Sequence, residues 1–269
     1  IYEFLRFLVG SDQINIILYN YNNLFDKEKF LDEYFNTFEL KNSFTQKKTF
    51  SPSTLGYGHG NCARYWFIAF NGADFEDTAK PLAKSVMENG TFTHDRIQKR
   101  FNKLNKSYKI IAHEIDTVHQ DPPIHGYLDS LIQDLESDNL IPFEIKSVKD
   151  EQWNIKQHSL DPSDNHKIQL LTYMKIWGYK TGVFFYENKN DQAPLLIIIE
   201  MDEKNNQLID YVFDWLRGVY KLYEDQTLPN RPFIKTNYAC KGCPVNKICW
   251  KQMKDDEGEV IYPAMVIKK

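Results

Sequence analysis

The stretches "GYLDSL" (126–131) and "PFEIKS" (142–147) decide how this chain is read. Each is a short apolar run carrying an acid, Asp129 in the first and Glu144 in the second. Side chains alternate across a strand, so residues i and i+2 share a face. Glu144 and Lys146 therefore point together, while Ile145 points into a core. Asp129, on the preceding strand, can lie opposite them. Two carboxylates and one ammonium then converge on one spot. Adjacent carboxylates repel, and a cation relieves the repulsion. A hard divalent ion such as Mg²⁺ accepts oxygen ligands of this kind. Taken singly, E-x-K and G-x-x-D are ordinary on strands, where cross-strand ion pairs are common. Their order and spacing together give them weight.

The neighbouring segments build a sheet around these strands. "YKIIAHEIDTV" (108–118), "IHGYLDSLIQD" (124–134) and "LIPFEIKSV" (140–148) are strand-like and joined by short links, one holding the turn-like "ESDN". Short links predict an antiparallel meander. "GVFFYENKNDQAPLLIIIEMD" (182–202) predicts a hairpin whose second strand, "LLIIIE", is apolar without a break and so deeply buried. Helical spacing marks "HKIQLLTYMKIWGY" (166–179) and "DEKNNQLIDYVFDWLRGVYKLYED" (202–225). "GTFTHDRIQKRFNKL" (90–104) predicts a helix entered through Gly90 and Thr91, with Thr93 as its N-cap.

Upstream, residues 1–45 read as helical, and "FSPSTLGYGHGN" (50–61) is a loop followed by a helix from Cys62 to about Phe70. Gly56, Gly58 and Gly60 do not make a nucleotide fingerprint, because Asn61 stands where the third glycine belongs and no strand leads in. The expected fold class is α/β, a mixed sheet flanked by helices. An N-terminal helical region and loop would span 1–61, and the main body 62–269.

Composition narrows the function classes. Hydrophobic residues make up 42% and charged residues 26%, which fits a soluble globular chain. No apolar run is long enough to cross a membrane, and no secretion signal opens the sequence, so an intracellular protein is expected. The net charge of −4 excludes general coating by nucleic acid. A local basic run stands out in "HDRIQKRFNKLNKSYK" (94–109), with Arg96, Lys99, Arg100 and Lys103 at its head. Such a run is most often a solvated helix face.

Of the four cysteines, Cys240, Cys243 and Cys249 cluster as C-x2-C-x5-C, and Cys62 lies far upstream. In a large chain without a secretion signal this favours a metal site over disulfides. Thiolates suit zinc and iron–sulfur clusters alike, and the spacing leaves both open. A thiol-dependent hydrolase using Cys62 with His119 or His125 is a remote rival.

Gln169 and Tyr173 stand at i and i+4, so they share one face of the helix that follows the meander. With them the order G-x-x-D, E-x-K, Q-x-x-x-Y is complete. It resembles the PD-(D/E)XK nuclease superfamily, in particular its RecB-like exonuclease branch. "GTFTH" is similar to the upstream signature of that branch, in which a helical histidine is a metal ligand; here that is His94. The resemblance implies a restriction-endonuclease-like core. It implies that His94, Asp129, Glu144 and the backbone carbonyl of Ile145 bind Mg²⁺ or Mn²⁺. Glu114 is a further candidate, with Asp116 on the same strand face. Lys146 would be the catalytic lysine, and Gln169 and Tyr173 would position it or the DNA end.

The cysteine pattern resembles the iron–sulfur nucleases of the same branch, such as AddB-type nuclease domains and small CRISPR-associated exonucleases. It implies that Cys62, Cys240, Cys243 and Cys249 bind a 4Fe–4S cluster clipping the C-terminal tail to the core, with a structural Zn²⁺ as the alternative. A clip closing so long a loop would constrain the unfolded chain. In this setting Arg96, Lys99, Arg100 and Lys103 become candidates for non-specific DNA phosphate contacts. The implied activity is metal-dependent hydrolysis of DNA, preferably at single-stranded ends, by a chain working alone or with a helicase as a separate chain. Rival readings are the processing of CRISPR spacer precursors with an integrase, and a non-catalytic DNA-end-binding module of the same fold.

Overall fold

The computed structural model describes residues 25–38, 47–76 and 79–267. Three strands form the expected meander: β1 (Tyr108–His119), β2 (Ile124–Asp134) and β3 (Leu140–Val148). β1 pairs antiparallel with β2, and β2 with β3. The chain then crosses over through two helices to β4 (Thr181–Asn188), which pairs parallel with β3. β5 (Pro194–Glu200) returns antiparallel to β4 and completes a five-stranded mixed sheet in the order β1-β2-β3-β4-β5. A parallel pair needs such a crossover, and a helix is its usual content.

The helices are α1 (Lys27–Asn36), α2 (Ala63–Phe70), α3 (Pro81–Phe101), α4 (Asp150–Ser159), α5 (Asp164–Trp177), α6 (Glu203–Glu224) and the short α7 (Tyr238–Lys241). Two compact units divide them. The small unit comprises residues 1–40 and 80–85 and contains α1, whose N-cap Asp26 accepts from the amides of Glu28 and Lys29. The predicted helix over residues 1–45 otherwise lies outside the described residues. The large unit comprises residues 41–79 and 86–269 and holds the whole sheet.

Helices cover both faces of the sheet. On one face α3 packs Ile97 and Phe101 against Ile132 and Ile145, with Phe143 and Phe185 beside them. On the other, α2, α5 and α6 enclose the larger core around Trp66, Leu170, Phe184 and Phe213, which also takes in Phe50 and Leu55. Burying each such side chain contributes about 1.5–3 kcal/mol. α5 stops at Gly178, whose φ of +73° supplies the left-handed C-cap.

Three expectations need correction. α3 begins at Pro81, well before Thr93, and runs straight through Gly90 and Thr91. A proline in the first turn is a ready helix start, because its missing amide would have no partner there. Thr93 is interior and turns its hydroxyl back to the Asn89 carbonyl. β5 is not deeply buried. It is an edge strand, with Ile197 and Ile199 inside and Leu196 and Ile198 more than half exposed. Finally, α4 forms a helix of its own between the meander and α5, where no helix was expected.

Candidate metal centre

β2 and β3 part company at the site. Their ladder ends at the pair Ser130–Phe143. At the next position the Asp129 carboxylate takes over as acceptor: Oδ2 receives the Ile145 amide at 2.6 Å. A charge-assisted bond of this length fixes the carboxylate at the fork. Its other oxygen faces α3, with Oδ1 at 3.5 Å from His94 Nδ1.

One turn after His94, Gln98 is buried against the same fork. Its amide donates to Glu114 Oε1 at 2.7 Å and to the Asp129 carbonyl at 2.9 Å. Glu114 sits on β1 with φ of +48°, an unfavourable conformation for a residue with a Cβ. The result is a cluster in which one donor atom each from His94, Glu114 and Asp129 lie within 4.8 Å of one another. Burial alone would lower the His94 pKa, but the Asp129 carboxylate outweighs it and holds the imidazole above its ordinary value.

Glu144 is fully buried on the adjoining side of the fork. Oε1 accepts from Lys146 Nζ and from Gln169 Nε2, both at 2.6 Å. Oε2 is buried without a partner. Burial raises the Glu144 pKa, and the nearby Asp129 charge pushes the same way against the pull of Lys146. An unpaired buried carboxylate oxygen is costly, and one beside a His–Glu–Asp cluster is available as a ligand for a cation. The donor set is one imidazole nitrogen and carboxylate oxygens, which together suit a divalent cation. The Lys146 side chain is 20% exposed, with its ammonium held on Glu144.

The glycine of "GYLD" has a steric reason. A Cβ at Gly126 would lie 2.8 Å from both Tyr173 Oη and Pro52 Cδ. Tyr173 passes through that space to donate to the Tyr127 carbonyl at 2.9 Å, tying α5 to β2 two residues before Asp129. Gln169 and Tyr173 thus secure the two sides of the fork, one holding Glu144 and the other the β2 backbone. Gln98 makes a comparable link from α3. It carries no motif of its own, and only its spacing of one helical turn from His94 marks it.

Other candidates are placed differently. Asp116 bonds to His125 Nε2 at 2.7 Å, and His119 bonds through Nδ1 to the Pro122 carbonyl. Within the basic run, Arg96 pairs at 2.5 Å with the buried Glu187, while Lys99, Arg100 and Lys103 are exposed. His166, bonded through Nδ1 to Tyr186, has its pKa pushed down to about 3 by burial and by Lys146 and Lys156, so it is neutral.

Far from the fork in sequence, Cys62, Cys240, Cys243 and Cys249 line one cavity with His59, Tyr65 and Trp250. All four are free thiols. Burial pushes the Cys62 and Cys243 thiols up to about 12.

No protein-family model matches the chain, and no curated protein matches it. Solved structures do. The alkaline exonuclease LHK-Exo from Laribacter hongkongensis superposes with a TM-score of 0.50 at 13% identity, covering 72% of this chain and 95% of that one. Its complex with dAMP gives 0.49 at 14% identity over 66% and 89%. The protein SSO0001 gives 0.44 at 17% identity over 82% and 92%. The chain has the restriction-endonuclease-like fold: a mixed five-stranded sheet between helices.

Proposed function

We propose that this protein is a metal-dependent deoxyribonuclease that hydrolyses phosphodiester bonds, with single-stranded DNA ends as its substrate. One observation carries the reading: His94, Glu114 and Asp129 converge, with the unpaired oxygen of Glu144 and the ammonium of Lys146 on the adjoining strand. The fold it shares with an alkaline exonuclease agrees with that chemistry.

His94, Asp129, Glu144 and the Ile145 carbonyl would hold Mg²⁺ or Mn²⁺, with Glu114 as a further ligand. The ion supplies Lewis-acid stabilisation of charge on the phosphate. Lys146, held on Glu144, places a positive charge where the phosphate oxygens gain negative charge as water adds and the ester bond opposite it breaks. Gln169 and Lys146 hold Glu144 through Oε1, which would leave its other oxygen to serve as the ligand. Gln98 does the same for Glu114. Lys99, Arg100 and Lys103, exposed on and just after α3, would attract the backbone without reading sequence. Arg96 is engaged by Glu187 and contributes less.

The cysteine cavity would hold a 4Fe–4S cluster. Cys62 lines the same cavity as the three C-terminal cysteines, so such a cluster would join the start of α2 to the C-terminal tail. Anaerobically purified protein should carry iron, and Cys62→Ser should lose it. One zinc and no iron would overturn the cluster assignment.

The nuclease reading is tested by incubating end-labelled single- and double-stranded DNA with Mg²⁺ or Mn²⁺ and comparing the native chain with Lys146→Ala. Nucleotide release by the native chain alone is expected. Equal release by both removes the reading.

A further inference from the structure

The metal cluster lies at one end of an exposed strip of β1 and β2. Along β1 the exposed residues alternate as Glu114, Asp116 and Val118. Across from them on β2, in the register Asp116–Tyr127, stand Tyr127 and His125. Tyr127 is 51% exposed, although large aromatic side chains are normally drawn into a core. Its position is fixed from both sides. The Tyr127 carbonyl receives the Tyr173 hydroxyl at 2.9 Å, and the ring stands beside His125 with centroids 5.3 Å apart. His125 is itself held by Asp116. Two residues of strand, about 7 Å, separate Tyr127 from the metal-site Asp129.

We propose that Tyr127, braced by His125, is a stacking platform for an unpaired base of a DNA strand whose phosphate lies in the neighbouring metal site. The proposal rests on the nuclease reading and deepens it by naming the feature that selects single strands. A ring on a strand face can accept the flat side of any base, but only of a base that is not stacked and paired in a duplex. No lysine or arginine stands among Glu114, Asp116, Val118, His125 and Tyr127, so this strip offers a strand a ring to stack on rather than a cation for its phosphates. Stacking is indifferent to base identity, which matches a site that reads no sequence.

Binding of fluorescein-labelled oligothymidylate in Ca²⁺, followed by anisotropy, tests the platform. Tyr127→Ala should weaken binding by roughly 5-fold to 150-fold, the range for one stacked base. Tyr127→Phe and Tyr127→Trp should bind as the native chain does, because the ring and not the hydroxyl carries the contact. Binding of a blunt duplex should be unaffected by all three. Native-like binding by Tyr127→Ala overturns the platform, and so does a Phe variant as weak as the Ala variant. A native chain that binds single strands but releases no nucleotide in Mg²⁺ or Mn²⁺ leaves the platform standing and removes the nuclease reading. A native chain that binds no single-stranded DNA removes the platform.

Discussion

Replacing Gly126 by alanine should disturb both stability and the site, and the size of the effect follows from the contacts. The new Cβ would stand 2.8 Å from Tyr173 Oη, 2.8 Å from Pro52 Cδ and 3.2 Å from Pro52 Cγ. Carbon atoms in good contact are about 3.5–4.0 Å apart, so several tenths of an ångström must be found. Overpacking of this kind costs about 1–3 kcal/mol. If Tyr173 yields, its bond to the Tyr127 carbonyl is lost as well, at about 1 kcal/mol. The sum is about 2–4 kcal/mol. In a unit of this size each kcal/mol lowers the melting temperature by about 2–4 °C. The decisive form is a double-mutant cycle with Tyr173→Phe, read by urea unfolding. Phenylalanine removes one of the clashing atoms and the bond, so Gly126→Ala should cost at least about 1 kcal/mol less in that background. Strictly additive effects, or a Gly126→Ala chain as stable as the native one, would refute the packing argument for the glycine.

Two further outcomes are expected. Gln98→Met keeps the volume of the side chain but removes its bonds to Glu114 and the Asp129 carbonyl. Residues that orient metal ligands are typically worth 10–100-fold in affinity, so the Mn²⁺ dissociation constant measured by calorimetry should rise by about that factor, and an unchanged constant would remove Gln98 from the site. Mn²⁺ affinity should also fall on acidification. His94 binds metal only when neutral, and the Asp129 carboxylate holds its pKa above the ordinary value of 6.5, so the loss should begin on the neutral side of that value as pH falls. A pH-independent affinity across that range would exclude the imidazole as a ligand.

What was legible in the sequence is what periodicity carries. The period of two put Glu144 with Lys146, and helical spacing put Gln169 with Tyr173; both pairs meet at the fork. The fork itself was not legible, because it depends on the point where β2 and β3 stop pairing and a carboxylate replaces a backbone acceptor. Gln98 escaped notice because a glutamine in a helix has no pattern until its partners on β1 and β2 are in place. The start of α3 was missed since Gly90 reads as a break, although a glycine inside a helix costs only about 1 kcal/mol. α4 was missed for the opposite reason: its only buried residue is Lys156, so it shows no apolar stripe. β5 misled because an unbroken aliphatic run reads as interior, whereas an edge strand buries only alternate residues.

The central claim is that one ion is held where β2 and β3 diverge. The most direct measurement is a crystal soaked in Mn²⁺ and examined for anomalous scattering. The account predicts a peak at about 2.1 Å from oxygens of Asp129 and Glu144 and from the Ile145 carbonyl, with His94 completing the set. A peak elsewhere, or none at the fork under Mn²⁺ that supports cleavage, would contradict it.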